Sequence, residues 1–148
     1  GVSLSKYYLK GMLDRNWGRI LFISSECAYL VPPDMISYSA TKASMHAVSR
    51  GLAHITRGTQ VTSNVVVPGS TLTKGAKTFL ADKAKEYDTS QEAVEKDFFN
   101  NDRTSSLLKR FASTDEVATT IAYLCSPLSS ATNGSVIKVD GGSSGGIL

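Results

Sequence analysis

Between Val61 and Val67 every residue except Ser63 and Asn64 is β-branched, and the run stops at Pro68-Gly69. Side chains branched at Cβ suit an extended backbone, and Pro-Gly ends a hydrogen-bonded ladder. The stretch is therefore predicted to be a strand, and its lack of polar-apolar alternation predicts burial on both faces. Such a strand needs helices above and below it, which points to a parallel sheet in an α/β fold.

The flanking sequence supplies the other layers. Leu4, Tyr7, Tyr8, Met12 and Leu13 recur at helical spacing over residues 3–15, and Asn16-Trp17-Gly18 breaks the pattern. A buried strand follows at Arg19-Ile20-Leu21-Phe22-Ile23. After the Ser24-Ser25-Glu26 loop and a Pro32-Pro33 turn, small and apolar residues from Ala40 to Ile55 predict a helix over 38–56, closed by Gly58. Residues 73–110 are polar and charged with two weak helical stretches, the pattern of a lid over a site. Within it, Phe79, Leu80, Phe98, Phe99, Leu107 and Leu108 are read as lid packing, and the charged 82–97 stretch as a solvated helix face. Thr114 is expected to cap a helix carrying Val117, Ala118, Ile121 and Leu124, and Ser135 to Val139 a third strand. Strand, helix, strand, lid, helix, strand is the order of an α/β fold with parallel strands.

Composition removes several function classes. The 148 residues are 41% hydrophobic and 20% charged, which suits a single core. A net charge of +3 from scattered Lys and Arg gives no basic stripe, so neither a nucleic-acid nor a membrane partner is expected. Cys27 and Cys125 form no CxxC, and His46 and His54 fall in one predicted helix, so no metal site is expected and a reducing, cytoplasmic setting is the default. Cys27 is read as a small buried side chain, and the two histidines as surface or packing residues. No apolar run reaches the roughly 18 residues that span a bilayer, and no signal-peptide layout opens the chain. It begins with Gly rather than Met, so an excerpt or processed product of something longer is expected.

Tyr38 and Lys42 stand one helical turn apart, on one face. A Lys ammonium beside a Tyr hydroxyl favours the phenolate, which suits the hydroxyl to acid-base work. The pair also fits a plain surface neighbour contact, so its surroundings decide. Ser25 lies at the end of a predicted strand, where loops build sites in open α/β sheets. A hydroxyl there can hydrogen-bond a carbonyl oxygen as charge develops on it.

Ser25 followed by Tyr38-Ser39-Ala40-Thr41-Lys42 resembles the Ser and YxxxK of the short-chain dehydrogenase/reductase family. The resemblance continues through Trp17-Gly18-Arg19-Ile20 with Ile23-Ser24-Ser25, Asn64 with Pro68-Gly69, Thr73, Arg110-Phe111 with Asp115-Glu116-Val117-Ala118, and Val139-Asp140-Gly141-Gly142. The terminal VDGG and the PG segment separate it from the extended, nucleotide-sugar branch. The sequence departs from the family pattern at Ser63, where an apolar residue is usual, and in the polar Ser70-Thr71-Leu72.

The resemblance implies the C-terminal half of a doubly wound, Rossmann-type parallel-sheet domain. It implies hydride transfer between NAD or NADP and a small-molecule carbonyl or alcohol substrate. Tyr38 would exchange a proton with the substrate oxygen, Ser25 would orient it, and Lys42 would hold the ribose hydroxyls and act on Tyr38. Pro68, Gly69, Thr71 and Thr73 would wall the nicotinamide. A homo-dimer or homo-tetramer is implied, built through the helices around 3–15 and 38–56.

The Gly-rich phosphate loop of that fold is absent from residues 1–148, and Gly141-Gly142 with Gly145-Gly146 is followed by no room for a helix. The residues that choose between NAD and NADP are absent with it. The expectation is that residues 1–148 are the catalytic part of one domain, preceded in the whole protein by about one hundred residues. The alternative is a non-enzymatic truncated fragment that only packs with partner subunits. Three parallel strands with one neighbour missing would leave an apolar edge of unpaired amides, so instability of the isolated segment is also expected.

Overall fold

The computed structural model describes residues 1–146, so the last two positions of the expected 1–148 unit lie outside the described residues. In chain order the elements are α1 (Val2–Asp14), β1 (Gly18–Ile23), the short α2 (Cys27–Leu30), α3 (Ile36–Ile55), β2 (Val61–Pro68), α4 (Lys74–Glu86), α5 (Gln91–Asp97), α6 (Thr114–Cys125) and β3 (Val136–Val139). The three strands form one parallel sheet in the order β1-β2-β3, with Gly18 opposite Val61 and Val65 opposite Val136.

The central strand is the Val61–Pro68 run, and all of it but Pro68 is buried. Val61, Val65, Val66 and Val67 are at most 1% exposed; burying a side chain of this kind is worth roughly 1.5–3 kcal/mol. Its two polar exceptions each have a partner. Ser63 Oγ lies 2.9 Å from Ser49 Oγ, a buried hydroxyl pair that ties α3 to the sheet. Asn64, on the opposite face, donates to Thr132 O at 2.8 Å and accepts from Ser135 N at 3.0 Å, fixing the loop that leads into β3. Buried polar groups satisfied in this way stabilise where orphaned ones would cost.

Leu9 of α1 and Met45, Val48 and Leu52 of α3 pack with Ile20, Phe22, Val65 and Val67 on one face of the sheet. Helix α6 packs on β1 and β2, and Arg19 reaches Ser126 O just beyond its end at 3.3 Å. A second cluster is separate from this core: Leu80, Ala84, Val94, Phe99 and Phe111, with Leu72, Ala76 and Phe98 against it, holds residues 72–111 together.

Several boundaries differ from expectation. Helix α3 starts at Ile36, earlier than the predicted 38. The cap of α6 is Ser113, not Thr114: Ser113 Oγ accepts from Glu116 N while Glu116 accepts from Ser113 N, a capping box. The 82–97 stretch is not one helix face, because α4 ends at Glu86, Asp88 takes φ 49°, and Ser90 caps a new helix. The packing reading holds for Leu80, Phe98 and Phe99, whereas Leu107 is 81% exposed. Cys27 is buried, as expected.

Candidate functional site

The carboxyl ends of the three parallel strands lie side by side, the place where loops of an open α/β sheet converge. Beyond β1 the ladder continues: Ser24 N donates to Val66 O at 2.8 Å and Glu26 N to Pro68 O at 2.9 Å. Alternate residues therefore face β2, and Ser25 stands between them, half-buried. Its Oγ accepts from Cys27 N at 3.2 Å, which leaves the hydroxyl proton for an outside acceptor.

Tyr38 sits in the first turn of α3 and is 42% exposed. One turn on, Lys42 Nζ donates to Ile23 O at 2.9 Å and lies 5.5 Å from the centre of the Tyr38 ring. An ammonium has three donors, so two are left after the bond to Ile23. The predicted Tyr38–Lys42 neighbourhood is thus present, tied to the strand end that leads into Ser25.

A partly buried set of polar contacts supports this corner. Ser24 Oγ donates to Lys42 O at 2.9 Å, and His46 Nε2 lies 2.9 Å from the same Ser24 Oγ. A hydroxyl has one proton, so with that proton on Lys42 O, the bond from His46 requires Nε2-H. The imidazolium and one neutral tautomer both carry that hydrogen, and burial, which pushes the His46 imidazole below its ordinary value, favours the neutral one.

The exit of β2 is equally constrained. Gly69 N donates to Val139 O at 3.0 Å. A Cβ on Gly69 would come within 2.6 Å of Asp140 Cα and 2.7 Å of its carbonyl oxygen, so the close approach of two backbones requires glycine. Thr71 Oγ1 donates to Gly69 O at 2.9 Å, and Thr71 pairs with Ala112 in an isolated parallel bridge. Thr73 Oγ1 accepts from Ala76 N as the cap of α4, which leaves its proton free. Pro68 and Gly69 thus form the turn, Thr71 holds its shape, and Thr73 starts the segment beyond.

Sequence reasoning passed over two carboxylates here. Asp140 is 7% exposed and accepts from Gly142 N and Ser144 N, each at 3.0 Å, and from the Ser144 hydroxyl. It organises the turn after β3, in which Gly141 and Gly142 take φ 62° and 78°. Burial first, and the Asp140 carboxylate second, push the Tyr29 hydroxyl up from its ordinary value. The other carboxylate is Glu26, 4% exposed, whose Oε1 accepts from Ser70 Oγ at 3.1 Å. The one cue to it in the sequence was a charge beside small residues at a strand end. Among the described residues no three His, Cys, Asp or Glu side chains converge as metal ligands, and no helix is long and apolar enough to cross a membrane.

Comparison with known proteins gives the family and the fold. The family model described as enoyl-(acyl carrier protein) reductase matches residues 2–144. The uncharacterised oxidoreductase YvaG of Bacillus subtilis is 40% identical over 142 residues, which cover 96% of this chain and 54% of that protein. YwfH, an NADPH-dependent reductase involved in bacilysin biosynthesis, superposes with a TM-score of 0.80 at 25% identity, over 99% of this chain and 54% of its own. An actinorhodin polyketide ketoreductase variant with NADPH superposes with a TM-score of 0.75 at 26% identity, over 92% of this chain and 51% of its own. The chain spans about half the length of the curated relatives it matches. With a matching family model, the parallel α/β fold and these relatives, the chain belongs to the short-chain dehydrogenase/reductase family.

Proposed function

We propose that the protein is an NAD(P)-dependent oxidoreductase that interconverts a ketone and a secondary alcohol, with Tyr38 as acid and base. The observation that carries this reading is the Lys42 ammonium, 5.5 Å from the Tyr38 ring and bonded to Ile23 O at the root of the Ser25 loop. That cation shares a helix face with the Tyr38 hydroxyl, the proton donor in this reading to an alkoxide forming on the substrate. The free Ser25 hydroxyl proton is the donor that orients and polarises the same oxygen.

The residues fit the nicotinamide-ribose end of such a cofactor. Lys42 has two uncommitted N–H donors for ribose hydroxyls, and Pro68, Gly69, Thr71 and Thr73 form a turn with one free hydroxyl proton at Thr73. When bound, the cofactor supplies or takes up the hydride, and the protein contributes position and proton transfer. NADPH in the names of the two structural neighbours supports this cofactor class. Residues 73–110 serve as the lid. A homo-dimer or homo-tetramer through α1 and α3 is supported by exposed Tyr7, Tyr8 and Ile55 on those helices.

Turnover is the test. In the full-length protein, Tyr38→Phe is expected to lower kcat for NADPH-dependent reduction of a short ketone by about 10²- to 10⁴-fold. NADPH binding, followed by fluorescence, should be retained. A Phe variant that turns over at the parent rate overturns the assignment.

A further inference from the structure

Glu26 follows Ser25 directly, yet nothing in the proton transfer proposed above uses it. Its carboxylate is taken out of water, at 4% exposure, on the loop that carries the substrate-orienting hydroxyl. Burial of this kind is costly unless the charge is paired and both oxygens are satisfied. Here the satisfaction is partial. Oε1 accepts from Ser70 Oγ at 3.1 Å and lies 3.7 Å from Arg103 Nε, and Oε2 is buried with no hydrogen-bond partner among the described residues.

The two partners come from distinct parts of the lid. Ser70 is at its base, where Ala112 N donates to Ser70 O at 2.9 Å and Leu72 N to Ala112 O at 2.8 Å, so the two ends of the segment are pinned together. Arg103 is in its body. The Arg103 guanidinium lies 5.5 Å from the centre of the Phe98 ring, and Phe98 stacks on Phe111 at 5.2 Å. Whatever moves the lid's aromatic cluster therefore moves Arg103 relative to Glu26.

We propose that Glu26 is a positioning residue: it latches the lid, through Arg103, to the loop that presents Ser25. The latch is half-made in this structure, with a single long ion contact and one free carboxylate oxygen. A guanidinium carries a fork of donors that suits both oxygens of a carboxylate. Closure of the lid over a bound carbonyl compound completes the pair, satisfies Oε2 and holds the Ser25 loop in place for proton transfer. This inference rests on the proposed oxidoreductase reading, and it adds a link between lid and loop that the reading does not need.

The test uses the full-length protein with Glu26→Gln, Arg103→Gln and the double variant. Amide hydrogen exchange over residues 74–110 should speed up in each single variant, and no further in the double. With NADPH and a ketone that the parent reduces, kcat/KM for the ketone should fall about tenfold to a hundredfold, the loss expected of a charge-assisted bond. The NADPH dissociation constant should hold. A role confined to folding would lower thermal stability and leave kcat/KM of the folded protein unchanged, and that result overturns the latch. Unchanged exchange over the lid overturns it too. Arg103 is partly exposed, so Arg103→Gln decides the matter should Glu26→Gln fail to fold. A parent protein without NADPH binding or turnover would refute the oxidoreductase reading, and the exchange data would still judge the latch.

Discussion

The pair Ser24–His46 carries charge information that its 22-residue separation conceals. Burial holds the His46 pKa below its ordinary value of 6.5, so the folded protein binds fewer protons there than the unfolded chain. Stability from this site is complete above the unfolded pKa, about 6.5, and is lost as pH falls toward the lower folded value. His46→Gln can keep a bond to Ser24 without titrating. The drop in Tm between about pH 7.5 and pH 5.5 should therefore be smaller in the Gln variant than in the parent; equal drops would remove His46 from the pH response. At this scale the Tyr38–Lys42 proximity was legible because a spacing of four residues puts both on one helix face. The meeting of Glu26, Ser70 and Arg103 was not, because it depends on how residues 73–110 fold back, and no local period encodes that.

Helix α6 shows how a boundary is decided when two neighbouring residues compete for it. Ser113 and Thr114 are both good caps, but Glu116 stands three residues after Ser113 and can bond back to its N–H, which Thr114 cannot match. Arg110 then grips Glu116 at 2.8 and 2.9 Å. The Arg110 hydrogen bond, followed by the Ser113 backbone, holds the Glu116 carboxyl down at about 2. Its contribution is present above the usual carboxylate range and fades as pH drops toward that value. Ser113→Ala should cost ~1 kcal/mol, read as a lower chemical-denaturation midpoint, whereas Thr114→Ala should cost far less. The reverse ranking would return the cap to Thr114. The strands were easier to read than helices α4 and α5. A β-branched run declares burial directly, whereas α4 and α5 are mostly polar and owe their positions to the caps Thr73 and Ser90 and to a shared aromatic cluster.

For the molecule as a whole, the two edges of the sheet differ in kind. Strand β3 shows water alternate side chains, the ordinary pattern for an edge. Strand β1 pairs only with β2 among the described residues, and its open side faces a cleft of about 170 Å³ lined by Leu4, Tyr8, Met12, Ile20 and Phe22. Ile23 at its end is 40% exposed, and Tyr7 and Tyr8 of α1 are 79% and 57% exposed. An apolar edge with unpaired backbone groups is a template for another strand. The parallel direction of the strands followed from their alternation with helices, and an exposed edge was expected on the same grounds, whereas the order β1-β2-β3 and the register come from the structure. A polypeptide of residues 1–148 by itself should therefore associate through β1, bind the hydrophobic dye ANS, and melt without a sharp transition by circular dichroism. Monomeric elution with one cooperative, dye-free transition would show instead that the two core clusters stabilise the fold without a further strand. In that case the β1 edge would be a surface the folded chain tolerates, and α1 and α3 would be left as its faces for association.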